Sequence, residues 1–240
     1  MGAKGASEDG DRRMGRRALI VGGLAAAAGT AALARDELAR LWWRLPGIDK
    51  PRTPGEVDFA GARWVAASDA NWRGADRPDD FHIDMVVVHV TQGSLDSAVR
   101  AFQNPGHKAA AHYIVGKDGR ITQMIRELDV AYHAGNRDYN ERSIGIEHEG
   151  FVDRPEDFTD EMYAASARLT ARICARYEIP VDRKHIIGHV EVPGTDHTDP
   201  GPHWDWDRYL NLVRRAGTAR AEDKRSAVPA GGSGSPTPGS

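Results

Sequence analysis

The sequence predicts an α/β fold in which one central, mixed β-sheet is flanked by helices. This prediction rests on pattern and on length. Short apolar, β-branched runs, which are typical of strands, alternate along the chain with segments of helical periodicity. The chain has 240 residues, of which 40% are hydrophobic, so it can bury the core of one sizeable domain. We therefore expect a single folded domain over residues 57–215.

The first clear element is a strand in the run IDMVVVHV, residues 83–90. An unbroken β-branched run bounded by polar residues is typical of a strand that is buried on both faces. Side chains alternate along a strand, so Met85, Val87 and His89 share one face. A histidine therefore stands near the end of an otherwise apolar strand.

A helix is predicted directly after this strand. Leu95, Ala98 and Phe102 recur at helical spacing and form an apolar stripe. Ser94 is the predicted N-cap, because a hydroxyl can accept from the free N–H groups of the first turn. Residues 104–106, Asn-Pro-Gly, are the predicted stop.

Four more strands and a long helix complete the predicted domain. Residues 112–125, HYIVGKDGRITQMI, read as a hairpin around Lys-Asp-Gly. Residues 142–150, RSIGIEHEG, are a strand with its isoleucines on one face and with Glu147 and Glu149 on the other. The helix ends before Pro180, and its buried stripe comprises Met162, Leu169, Ile173 and Tyr177. Residues 185–189, HIIGH, form a short strand that leads into a loop.

The two ends of the chain lie outside the predicted domain. Residues 1–34 place basic residues before an apolar stretch that ends in Ala-Leu-Ala, which is the layout of a signal peptide. The pair Arg16-Arg17 resembles a twin-arginine export signal. Residues 35–56 are predicted as a linker, and residues 216–240 as a disordered tail. We expect export to the cell envelope or beyond; an uncleaved N-terminal membrane anchor is the alternative.

Charge and cysteine content exclude several classes of protein. The formal net charge is −3 and there is no long basic stretch, so nucleic-acid binding is not predicted. Cys174 is the only cysteine, which excludes a disulfide within the chain, and we expect it to be a small buried residue of the long helix. We expect a monomer.

Three separate parts of the sequence suggest a metal site. His89 ends a strand, the glutamates share a strand face, and a Gly- and Pro-rich turning loop follows residue 188. Two imidazoles and one carboxylate around zinc leave a fourth position for water, whose proton a nearby carboxylate can take. The spacing does not decide which two loop residues join His89. The candidates are His189, Glu191, Asp196, His197 and Asp199.

Five motifs occur in order along the chain: VVVHVTQGS, AAHYIVGKDGRITQMI, AYHAGN, SIGIEHEG and GHVEVPGTDHTDPGPHWDW. Together they resemble the zinc-dependent N-acetylmuramoyl-L-alanine amidase family. That family includes phage lysozyme-type amidases, bacterial anhydro-muropeptide amidases and the peptidoglycan recognition proteins. The resemblance implies a single domain with a central mixed sheet flanked by helices, and zinc at the floor of a substrate groove.

The resemblance also assigns the metal ligands. His89, His189 and Asp199 fall on the three positions that hold zinc (Zn²⁺) in the family. His197 precedes the third ligand by two residues, where the family places a side chain that stabilises the developing oxyanion.

Further roles follow from the same resemblance. Ala111 stands where some branches of the family have a catalytic tyrosine. The branch without that tyrosine uses a glutamate that corresponds to Glu147, which is therefore the expected general base. His133 and Asn136 are expected to line the substrate groove. Tyr113 is expected to pack in the core. Glu149 is expected either to line the groove or to contact the site residues from the side away from the substrate.

The implied activity is hydrolysis of peptidoglycan or muropeptides. The bond cleaved joins the lactyl group of N-acetylmuramic acid to the L-alanine of the stem peptide, and zinc activates the attacking water. One alternative is a non-catalytic muropeptide-binding protein of the same fold; another is a zinc hydrolase of a different secreted peptide or amide. Non-catalytic relatives usually lack a zinc ligand, whereas all three positions are filled here, which favours an enzyme.

Overall fold

A six-stranded mixed sheet forms the centre of the computed structural model, which describes residue 53 and residues 55–226. All neighbouring strands run parallel except Tyr113–Val115 and Ile121–Gln123, which form an antiparallel hairpin. In spatial order the strands are Ala62–Trp64 (β1), Ile121–Gln123 (β5), Tyr113–Val115 (β4), Ser143–His148 (β7), Met85–Val90 (β3) and Ile186–Gly188 (β8). A small antiparallel pair joins Trp72–Arg73 (β2) to Val130–Ala131 (β6). The predicted mixed sheet is confirmed.

Helices cover both faces of the sheet. They are Leu95–Gln103 (α1), Arg137–Arg142 (α2), Asp160–Tyr177 (α3) and Trp206–Ser226 (α4), with short 3-10 turns at Asp69–Asn71, Pro155–Asp157 and His189–Glu191. α3 and α4 pack on one face, against a core that includes Val86, Val88 and the isoleucines of β7. α1 packs on the opposite face, against Ile114 and Met124. The predicted arrangement of a sheet flanked by helices is therefore confirmed.

The strongest sequence patterns produced the predicted elements. Every residue of β3 is buried, as expected for a strand covered on both sides. The Ser94 side chain accepts from Ser97 N and caps α1, which ends at Gln103 as predicted. In α3 the predicted apolar stripe is buried, and Thr159 caps its first turn. Cys174 is buried within this helix.

The last helix corrects the predicted start of the disordered tail. We expected disorder from residue 216, but α4 continues to Ser226. Residues 216–226 contain one glycine and no proline, and alanine, arginine and glutamate favour helix there; the Pro- and Gly-rich run begins only later. The predicted signal segment, nearly all of the predicted linker and residues 227–240 lie outside the described residues. No helix in the described part of the chain has the length and apolarity needed to cross a membrane.

The buried side chain of Arg77 links α2 and β7 to the loop before β6 through hydrogen bonds to backbone carbonyl oxygens. Arg77 is 2% exposed. Its guanidinium donates to the carbonyl oxygens of Glu141 at 3.0 Å, Ser143 at 2.8 Å and Glu127 at 2.7 Å. Two of these oxygens lie where α2 ends and β7 begins, so a positive charge neutralises free carbonyl groups at a helix C-terminus.

Replacing Arg77 with Met should destabilise the protein by about 3 kcal/mol or more, because several buried carbonyl oxygens would lose a charged donor. Chemical denaturation would measure the loss. Arg168 lies exposed on α3, and Arg168→Met should change stability by less than about 0.5 kcal/mol. Equal stabilities for the two variants would contradict the structural role of Arg77.

Candidate metal centre

The carboxyl ends of three parallel strands meet at one edge of the sheet, and the candidate site lies there. β3 pairs with β7 so that His89 lies opposite Glu147. β8 pairs with the other side of β3, and His189 directly follows it. Because parallel strands point the same way, these side chains come together although they are far apart in the sequence.

Three predicted ligands converge at this edge. Nδ1 of His89 lies 3.1 Å from Nδ1 of His189 and 3.2 Å from Oδ2 of Asp199. Nδ1 of His189 lies 3.3 Å from Oδ1 of Asp199. Zinc bonds of about 2.0–2.1 Å in a tetrahedron place neighbouring donor atoms about 3.3–3.4 Å apart. The spacing of the three donors therefore fits a small tetrahedral cation.

Burial and neighbouring side chains set the charge of two of these groups, His89 and Asp199. Burial lowers the pKa of His89, so this imidazole is neutral at neutral pH. Burial also opposes the charged form of Asp199, but the neighbouring His189 counters it, and the pKa of that carboxyl lies well below its usual range. Neutral imidazole and carboxylate are the forms that bind zinc. The donor set thus has the geometry that a zinc ion requires, and His89 and Asp199 have the protonation that it requires.

Glu147 is placed beside the donors as a carboxyl that can hold a proton. Burial raises its pKa to about 8, and the negative charge of Asp199 adds to this effect. Its Oε2 is buried and has no hydrogen-bond partner among the described residues. Glu147 lines the cavity together with the three donors. A buried carboxyl with a free oxygen and a pKa near neutrality suits general acid–base chemistry.

His197 lies over the donors on the solvent side. Its ring stacks on that of His189 with centroids 4.1 Å apart, and its Nδ1 lies 3.4 Å from Oδ1 of Asp199. The side chain is 60% exposed. It therefore lies between the donors and the open cavity, where a bound substrate would pass.

The cavity above the donors has a volume of about 790 Å³. This size is typical of a site for a small-molecule or peptide-like ligand. Lys108 and Tyr132 line it and were not among the predicted site residues. Lys108 follows a Pro-Gly turn, a signal that places it in a loop but does not say that the loop approaches β3.

The structure places the two predicted groove residues differently. His133 lines the cavity but is only 7% exposed, and its Nδ1 lies 2.9 Å from Nε2 of His89. Asn136 is not among the cavity-lining residues. Its side chain caps α2 and donates to the carbonyl oxygen of Pro193 at 3.1 Å. Its position does not support the predicted contact with substrate.

Two further expectations concern neighbours of the site. Tyr113 is fully buried and donates to Oε1 of Glu127 at 2.7 Å, as expected for a core residue. Of the two roles expected for Glu149, it does not line the cavity, and its carboxylate accepts from Lys117 N at 2.9 Å. β7 ends at His148, so alternation along the strand no longer directs the next side chain.

Comparison with known proteins identifies close relatives. A family model for N-acetylmuramoyl-L-alanine amidases matches residues 79–202, more than half of the chain. N-acetylmuramoyl-L-alanine amidase A of Achromobacter lyticus is 35% identical over 179 residues, which cover 67% of this chain and 98% of that protein. The 1,6-anhydro-N-acetylmuramyl-L-alanine amidase AmpD of Haemophilus influenzae is 29% identical over 177 residues, covering 70% of this chain and 89% of the relative. The solved structure of a selenomethionine derivative of AmpD matches with a TM-score of 0.55 at 28% identity, covering 66% of this chain and 99% of that one.

Replacing Glu147 with Gln should stabilise the metal-free protein in a pH-dependent way. The pKa of this carboxyl rises from 4.5 to about 8 on folding, so between these values the folded protein keeps a proton that the unfolded chain has released. The carboxyl therefore lowers stability progressively as the pH rises through this range. We expect the gain in Tm from Glu147→Gln to be larger near pH 8 than near pH 5, measured by thermal unfolding with chelator present.

Glu149→Gln is the matched control, because it changes a carboxyl two residues along that does not line the cavity. A gain in Tm from Glu147→Gln that is the same at both pH values would contradict the raised pKa.

Proposed function

The chain belongs to the N-acetylmuramoyl-L-alanine amidase family, and on this premise we propose that it is an exported, zinc-dependent peptidoglycan hydrolase. It cleaves the amide between the lactyl group of N-acetylmuramic acid and the L-alanine of the stem peptide. One observation carries the proposal: two imidazole nitrogens and a carboxylate lie 3.1–3.3 Å apart, beside a buried carboxyl with a free oxygen. The relatives named above support the choice of substrate.

His89, His189 and Asp199 would hold the zinc ion. When bound, zinc supplies Lewis-acid chemistry that polarises the scissile carbonyl and lowers the pKa of the attacking water. The three residues are buried at the cavity floor, which keeps competing solvent from the donors and strengthens electrostatic interactions there.

Glu147 transfers the proton in this proposal. As a carboxylate it accepts a proton from the attacking water, and as a carboxylic acid it donates that proton to the leaving amine of L-alanine. Burial raises the pKa of Glu147 above its ordinary value, which helps this carboxyl to hold the proton between the two steps.

His197 stabilises the tetrahedral intermediate. Its ring lies on His189 and its exposed side faces the cavity, so an imidazole N–H can reach an oxyanion that forms above the donors. Its exposure also allows the ring to adjust when substrate binds.

Digestion of purified peptidoglycan tests the function directly. We expect mass spectrometry to detect free stem peptides that begin with L-alanine, that disappear with chelator and that return with zinc. Tight binding without new termini would instead identify a muropeptide-binding protein. Cleavage at another amide would show that the protein is a hydrolase with a substrate different from the one proposed.

Replacing Glu147 with Gln should lower kcat by about 10²–10⁴, because the proton would lose its carrier. Metal analysis should show that the variant still binds zinc. Glu149→Gln should retain wild-type turnover, since its carboxylate bonds to the backbone of Lys117 outside the cavity. Near-normal turnover by the zinc-loaded Glu147→Gln protein would reject Glu147 as the general base.

The proposed export rests on the N-terminal sequence. The pair Arg16-Arg17 precedes an apolar stretch rich in glycine and alanine, which suits the twin-arginine route. Replacing both arginines with lysine should leave the protein inside the cytoplasmic fraction of its host, as seen by cell fractionation and immunoblotting. Unchanged export of this variant would rule out the twin-arginine route.

A further inference from the structure

A line of hydrogen-bonded groups connects the backbone of α2 to the ring of His89. The hydroxyl of Ser143 donates to the carbonyl oxygen of Tyr139. Oγ of Ser143 lies 3.1 Å from Nε2 of His133. Nδ1 of His133 in turn lies 2.9 Å from Nε2 of His89. Ser143 is fully buried, and both rings are less than 10% exposed, so water does not substitute for these partners.

The direction of each bond in this line follows from the first. A carbonyl oxygen can only accept, so the single hydroxyl proton of Ser143 points at Tyr139. Oγ of Ser143 must then accept from Nε2–H of His133. A neutral imidazole carries one proton, so Nδ1 of His133 is an acceptor and Nε2 of His89 must be the donor.

The same logic fixes the opposite nitrogen of His89. With its proton on Nε2, His89 presents an unprotonated Nδ1 to the metal site. That atom lies 3.2 Å from Oδ2 of Asp199. A lone pair this close to a carboxylate is repulsive unless a cation lies between them. The hydrogen bonds from Ser143 through His133 to His89 therefore select the one tautomer of His89 whose Nδ1 can bind a metal ion at this site.

We propose that Ser143 and His133 are positioning residues that hold His89 in its metal-binding tautomer. The inference deepens the proposed function and rests on it, because it concerns the donor that His89 offers to zinc. It also gives His133 a role different from substrate contact. Partners of this kind, behind the ligands of a metal, orient the ligand rings and raise metal affinity.

The surrounding backbone keeps both positioning residues in place. A side chain at Gly145 would put its Cβ 2.6 Å from the ring of His133, so this ring lies directly on the strand. The backbone N–H of His133 donates to Oδ1 of Asn140 at 3.0 Å. Arg77 binds the carbonyl oxygen of Ser143 at 2.8 Å. The line is thus anchored on a strand, a helix and a buried charge.

The chain contains a matched control for this interaction. His148 and Ser166 form a second buried histidine–serine pair, with Nε2 and Oγ 2.7 Å apart. His148 lies 2.9 Å from the backbone oxygen of His89 but makes no hydrogen bond with the ring of a proposed ligand in the described structure. Ser166→Ala therefore removes an equivalent hydroxyl without touching the line.

Nitrogen-15 NMR of the histidine rings tests the tautomers whether or not metal is bound. We expect His133 to be the Nε2–H tautomer in the wild-type protein, both with zinc and with chelator. In the zinc-loaded protein, the Nε2–H of His89 should exchange slowly with solvent, and faster in Ser143→Ala. Observation of His133 as the Nδ1–H tautomer would overturn the proposal.

Competition with a chromogenic chelator tests the consequence for zinc. Ser143→Ala should weaken zinc binding by about 10-fold and His133→Leu by about 10–100-fold, while Ser166→Ala leaves it unchanged. His133→Asn should bind more tightly than His133→Leu, because its amide oxygen can replace Nδ1 as the acceptor. Circular dichroism before titration confirms that each variant is folded.

The outcomes separate this proposal from the proposed function. If the wild type binds zinc and both Ser143→Ala and His133→Leu bind it equally well, the positioning role is wrong and the zinc hydrolase stands. If the wild type binds no zinc, the proposed function fails. The histidine tautomers measured by NMR then decide alone whether the hydrogen bonds between Ser143, His133 and His89 have the proposed direction.

Discussion

In-register parallel pairing of β3 with β7 and β8 carries His89, Glu147 and His189 to one edge of the sheet. A slip of one residue in either pairing would turn the side chains of that strand to the opposite face. The buried isoleucines of β7 oppose such a slip, because it would move them out of the core beneath α3. The hydrophobic packing on one face of the sheet therefore determines which side chains point into the polar site on the opposite face.

Polar groups buried at this edge are costly unless they have partners. The structure supplies partners on the protein side: Ser143 and His133 behind His89, and Arg77 beneath the start of β7. On the cavity side, the donor atoms face one another and Oε2 of Glu147 has no hydrogen-bond partner within the described residues. At His89 and Glu147, this asymmetry leaves polarity available to a ligand where the cavity opens.

Local patterns predicted the long elements well. The unbroken run in β3, the Ser94 cap of α1 and the stripe of α3 were each predicted correctly, because each pattern is complete within one short segment of the sequence. Sequence spacing alone left the partners of His89 open; the family resemblance selected His189 and Asp199, and the structure brings these three together. Asn136 was expected to line the groove although its residue type also suits a helix N-cap, the role that it has at α2. The contact of Glu149 with Lys117 joins distant segments and is encoded by no local pattern. α4 was not predicted, and residues 216–226 were assigned to the disordered tail because a Gly- and Pro-rich run follows them.

Gly145 and His133 are sterically coupled. The ring of His133 occupies the space that any side chain at residue 145 would need, with Cγ 2.6 Å from the position of a Cβ. Neither residue can change freely while the other is kept: a larger residue on the strand expels the ring, and loss of the ring leaves a void beside a polar site. In homologues these two positions should therefore covary, and a side chain at the glycine position would indicate that the histidine has been lost or that its ring has moved away from the metal site.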